Sequence, residues 1–133
     1  MQKEHASGAN NTNNLQMGRD IQERTFNFAV DCVKLCRALE KQSATCRSLA
    51  NQLLRSATSV GANVEEAQAG QSRADFVAKL SIALKEARET HYWLRLLQAA
   101  EISSDVSIVD LQNEADQIKR VLGAIIVSAR RSS

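Results

Sequence analysis

The stretch QLLRSATSVGANVEEA, residues Gln52 to Ala67, decides the fold class. Leu53, Ala57, Val60, Val64 and Ala67 recur at alternating steps of four and three, which lines one face of an α-helix; a strand would alternate every second residue. Beside that face Gln52, Arg55, Ser56, Ser59, Asn63 and Glu66 form a polar strip. Its ordinary reading is a structural one, in which Arg55, Asn63 and Glu66 are partly buried and mutually hydrogen-bonded, with Glu86 and Glu89 as candidate acceptors for Arg55. A glycine within a helix costs roughly 1 kcal/mol relative to alanine, so Gly61, among the small residues Ala57, Ser59 and Ala62, predicts close approach of a neighbouring helix.

The same periodicity continues outward in both directions. Upstream, Asp20 is a plausible N-cap for a helix carrying Ile21, Thr25, Phe28, Cys32, Leu35, Cys36 and Leu39 inward, and the pattern lapses around Ser43 to Cys46. Downstream, Gly70 supplies a helix stop, and Ser72 followed by Asp75 resembles a capping box. The third helix runs to about Ala100 with Phe76, Leu80, Ala83, Ala87, Leu94 and Leu97 inward. After a polar break at Ser103 and Ser104, Leu111, Ala115, Ile118, Leu122, Ile125 and Ala129 make a near-heptad fourth helix, in which Gly123 again predicts close packing. Short connections make successive helices antiparallel, so residues 20–133 are expected to form an all-α, antiparallel up-down-up-down four-helix bundle. Residues 1–19, rich in asparagine and other polar residues, are expected to be a disordered polar tail.

Composition agrees with one helical domain. The 133 residues contain no proline and only 4% aromatics, so nothing interrupts long helices built from Ala, Leu, Val and Ile among charged residues. Seventeen Lys and Arg against fifteen Asp and Glu give a formal charge of +2, which by itself does not call for a nucleic-acid partner. No apolar run is long enough for a membrane span, no signal-peptide stretch opens the chain, and three cysteines are an odd number. The expected location is the cytoplasm, without a membrane partner.

The polar and thiol residues form no familiar catalytic or metal-binding pattern. Cys32 and Cys36 lie one turn apart, but their spacing to Cys46 matches no standard zinc pattern and both fall on the apolar stripe, so they read as core thiols. Glu86, Glu89 and His91 lack the Glu-x-x-His spacing of di-iron bundles, and His91, at the edge of the core stripe, reads as a hydrogen-bonded structural residue. With no phosphate loop and no nucleophile elbow, the chain is expected to be no enzyme, to hold no cofactor or metal and to take no small-molecule substrate.

Two surfaces remain. Phe26, Val30 and Val33 lie about 140° around the first helix from Ile21 and Leu39, and Ile82, Trp93 and Leu96 lie away from the inward face of the third. A bundle helix needs one buried stripe, so these six residues are candidates for an interface between copies of the chain. Lys85, Arg88, Tyr92 and Arg95 share a further stripe on the third helix, three cations flanking an aromatic ring. Its ordinary reading is solvated surface; its functional reading is a contact for single-stranded nucleic acid, with phosphates on the cations and a base on the ring.

RTFNFA (Arg24 to Ala29), QLLRSATSVGANVEEA, SRADFVAKLSIALKEARET (Ser72 to Thr90) and YWLRLL (Tyr92 to Leu97) together resemble the four-helix-bundle family of 23S rRNA-intervening-sequence proteins, to which the accessory protein of diversity-generating retroelements is related. The resemblance implies a homopentameric bundle without established enzymatic activity. It leads to a non-enzymatic scaffold or assembly protein, with an RNA- or DNA-binding accessory factor as the rival.

Overall fold

In a computed structural model the described residues are 2–103 and 106–132, with side chains from Asp20 onward except that of Val106. Four helices follow in order: α1 (Gln2–Glu40), α2 (Ala44–Ala69), α3 (Arg73–Ala99) and α4 (Val106–Arg131). The backbone of α1 begins at Gln2, upstream of the start read from the sequence at Asp20. The side chains of 2–19 lie outside the described residues, and the expectation of a polar tail lies there with them.

Each helix packs on the next, α1 also meets α4, and the backbones of the diagonal pairs do not approach closely among the described residues, which is the arrangement of a four-membered helix ring. The inward stripes make one core. Phe28, Cys32 and Leu39 of α1, Leu53, Val60 and Val64 of α2, Leu80 and Leu94 of α3, and Ile118 and Leu122 of α4 are all essentially inaccessible to solvent. Burial pushes the Cys32 thiol well up, helped by Cys36 and Asp31, and pushes Cys36 up to about 11. The Cys36 Sγ reaches the Ala50 carbonyl at 3.3 Å, and all three cysteines are free and buried.

The helix ends follow local chemistry, in one case against expectation. Ser43 and Ser72 accept the amide protons of Cys46 and Asp75 on their hydroxyls, both at 3.1 Å, and so satisfy donors that the first turn leaves unpaired. Gly70 ends α2 in extended backbone (φ −63°, ψ 147°), not in the left-handed stop usual for glycine. Space explains it, because a Cβ there would stand 3.2 Å from the Ala67 carbonyl and 3.4 Å from the Asp75 Cβ. The left-handed stop occurs instead at Glu101 (φ 56°) after α3. There the amides of Glu101 and Ile102 bond the carbonyls of Gln98 and Leu97, both at 3.1 Å, a Schellman closure with glutamate where glycine is usual.

Gly61 performs the role read for it: a Cβ there would lie 3.3 Å from the Thr25 carbonyl oxygen, so α1 and α2 approach through it. Gly123 shows no such approach among the described residues, where nothing lies within 4 Å of its would-be Cβ.

Candidate functional site

The polar strip of α2 divides among different neighbours. Ser56 turns inward, where its hydroxyl meets that of Thr90 at 2.9 Å and each also reaches a carbonyl of its own helix. Both are buried, so the pair joins α2 to α3 inside the core. Arg55 lies outside it and spans the same seam, contacting Glu86 at 3.4 Å, Glu89 more closely, and Gln52 of its own helix at 3.3 Å. Asn63 donates back to the Ser59 carbonyl at 2.8 Å and hydroxyl at 3.1 Å, and Glu66 is exposed. Arg55, Asn63 and Glu66 therefore do not form the mutually bonded network expected of them, because successive positions face α3, their own backbone and solvent in turn.

The six apolar residues offered as an interface are placed unequally. Phe26 is 59% exposed and Ile82 43%, and Val30 is also exposed, while Val33 is half-buried. Trp93 and Leu96 depart from the fully outward placement read for them; both are half-buried, and Trp93 packs against the core. Its indole N–H is buried without an acceptor among the described residues. Tyr92 stands edge-on to the Trp93 ring at a centroid distance of 5.2 Å, on the outer side of α3.

Phe26, Val30 and Val33 line a groove of about 480 Å³ along the α1–α2 seam. Gly61, Ala62 and Thr58 supply its other wall, so the small residues that let the helices approach also keep the groove open. Lys34 and Arg37 stand at one end, and Glu65, close to Phe26 and Glu23, at the other. The α2 wall was not read from the sequence as part of a surface, since small side chains signal helix packing as readily as a depression. Nor was the outer side of α4, where Val127 is exposed beside Gly123 and Val109 is exposed nearer the start of the helix.

The α3 stripe is fully outward: Lys85, Arg88, Tyr92 and Arg95 are all exposed. None of its three cations makes an ion pair among the described residues, whereas Arg24, Arg55, Lys119 and Arg120 all do. Glu86 and Glu89, the carboxylates nearest the stripe in sequence, are turned away from it towards Arg55. Across the opposite seam Arg24 of α1 is held by Glu114 and by Gln117 at 3.1 Å, and the bond to Glu114 keeps the guanidinium pKa above its usual value.

His91, half-buried on the α4 side of α3, receives the Lys119 ammonium at 3.0 Å on its Nδ1. Among the described residues no three His, Cys, Asp or Glu side chains are grouped to share a metal, and no helix is long and apolar enough to cross a membrane.

A family model described as 23S rRNA-intervening sequence protein matches residues 19–124. Among solved structures, the chain is similar to a protein of unknown function from the S23 ribosomal protein family of Bacteroides thetaiotaomicron, with 39% sequence identity and a TM-score of 0.75. The match covers 83% of this chain and 97% of that one. No curated protein matches the sequence significantly.

Proposed function

The chain belongs to the family of 23S rRNA-intervening sequence proteins, and from that premise we propose that it is a non-enzymatic, homo-oligomeric scaffold of the cytoplasm. The observation that carries this reading is the exposure of Phe26, Val30 and Ile82 outside a core that is already complete. Apolar side chains gathered beside an open groove mark interaction surfaces more often than solvated ones. The number of copies, five, rests on the family resemblance. A five-membered ring requires two different patches to meet, one from each neighbour, because a self-complementary patch closes at two. The α1–α2 groove is one patch, and the exposed Ile82 of α3 is a candidate for the other. Light scattering at micromolar concentration tests the reading, with an expected mass of five times the 14.6 kDa chain. A monomer overturns it. Phe26→Asp should lower the mass while helical circular dichroism and the melting transition persist.

The exposure of Lys85, Arg88 and Arg95, without an ion pair among the described residues, favours one second reading, an accessory factor that holds single-stranded nucleic acid on α3. Repetition around an oligomer would strengthen a weak contact by avidity. Single-stranded RNA should then bind at about 50 mM salt and dissociate steeply as salt rises, through loss of the counterion-release gain. Changing Arg88 and Arg95 together to Glu should abolish binding without altering the mass. No binding by the parent chain at low salt leaves the scaffold alone.

A further inference from the structure

The α3–α4 seam holds an arrangement that neither reading uses. Lys119 Nζ lies 3.0 Å from His91 Nδ1. An ammonium has only protons to offer, so the imidazole accepts, which makes the ring neutral with its own proton on Nε2. The charged groups that face the ring are Lys119 and Asp116 of α4 and Arg95 of α3, one turn further along its own helix; none on α1 or α2 perturbs it. Burial and then Lys119 hold the His91 pKa below the ordinary histidine range, with Arg95 acting in the same direction and Asp116 against them. Asp116 is a divided counter-ion, 2.9 Å from Arg120 and 3.4 Å from Lys119.

His91 and Lys119 thus meet with Arg95 beside them and a carboxylate already shared with Arg120, and the ring stays neutral because a further positive charge there has no partner of its own. A bound oxyanion supplies that partner. We propose that the α3–α4 seam at His91, Arg95 and Lys119 is a binding site for a phosphoryl-type oxyanion, which draws a proton from solvent onto His91 as it binds. Nδ1 then turns from acceptor into donor, and the Lys119 proton it had accepted is redirected to an anion oxygen. Arg88, one turn before His91 and exposed, is placed for a second phosphoryl group. The site does not depend on self-association; where the phosphoryl group is that of an RNA backbone, it rests on and extends the nucleic-acid reading.

The test follows the ring protons of His91 by NMR across pH in the full chain, with His91→Gln assigning the signal against His5. Sulfate is the small-anion probe, because its charge does not change between pH 5 and 9 on the scale of histidine titration; sodium chloride at equal ionic strength is the control. The expected result is a midpoint raised by sulfate and not by chloride, corresponding to about tenfold tighter sulfate binding to the protonated ring. Lys119→Met should remove the sulfate-induced rise and Lys119→Arg should keep it, which separates the site from any loss of folding. A second arm repeats the titration with single-stranded RNA. A rise with both probes supports the site and identifies a backbone phosphate as a ligand; a rise with sulfate alone supports it for small anions and counts against the nucleic-acid reading. RNA that binds through Arg88 and Arg95 with an unmoved His91 midpoint, together with sulfate no different from chloride, overturns this proposal and leaves the nucleic-acid reading intact.

Discussion

Phe26 and Phe28 are the same residue type, two positions apart on α1, yet 59% of one and 2% of the other is exposed. Two steps along a helix are about 200° around it, so the two rings stand on nearly opposite sides. The inner ring joins the core with Cys32, Leu35 and Leu39, while the outer one overhangs the α1–α2 groove with Val30 and Val33. Both stripes are apolar at helical spacing; they differ in whether a helix of the same chain covers them. An apolar stripe therefore states only that something should cover it. Ring closure by four helices uses one stripe of α1 and leaves the other for a different surface.

The sharpest way to break that comparison is to truncate each ring. Phe28→Ala should cost about 3 to 5 kcal/mol, as loss of a buried phenylalanine does, and Phe26→Ala within about 0.5 kcal/mol in a dissociated subunit. Urea unfolding at a concentration that favours single subunits measures both, and equal costs would end the distinction between the faces. Thr90→Val tests whether an inner polar contact behaves like the inner apolar ones. It leaves the buried Ser56 hydroxyl without its cross-helix partner and should lower stability by about 1 kcal/mol. Glu101→Gly, outside either face, should act in the opposite direction. It relieves a left-handed backbone that costs a non-glycine residue about 1 kcal/mol, and the thermal midpoint should rise accordingly. Smallest of all, Glu66→Ala should change stability by less than about 0.5 kcal/mol, since the side chain is exposed. A larger loss would restore the mutually bonded strip.

These cases also mark what the sequence discloses. The four inward stripes and the cap at Ser72 are legible because helical spacing and N-cap chemistry are local properties, whereas the cap at Ser43 shows in the sequence only as a lapse of the apolar pattern. The α3–α4 turn is not legible in that way, since its left-handed residue is a glutamate and carries none of the composition that marks such a stop. Gly70 shows the converse, a glycine selected by crowding against the Ala67 carbonyl rather than by its backbone angle. Charge partners were legible only where two helices are neighbours in sequence. Arg55 could be matched to Glu86 and Glu89 across the α2–α3 hairpin, whereas Arg24 with Glu114, ninety positions apart, depends on how α1 and α4 close the ring. Trp93 sits at a border between faces, where a few degrees of helix rotation decide half-burial and spacing does not resolve them.

The three buried cysteines carry a consequence in the time domain. Alkylating and disulfide reagents attack the thiolate, and burial both keeps Cys36 protonated, with its pKa near 11, and excludes the reagent. Chemistry at Cys32 and Cys36 must therefore wait for the core to open around α1, so labelling proceeds at the intrinsic rate of an open thiol multiplied by the fraction of time that opening lasts. The chain contains its own clock for that opening. It needs no engineered cysteine, and it slows whenever an occupant of the groove outside Gly61 holds α1 and α2 together.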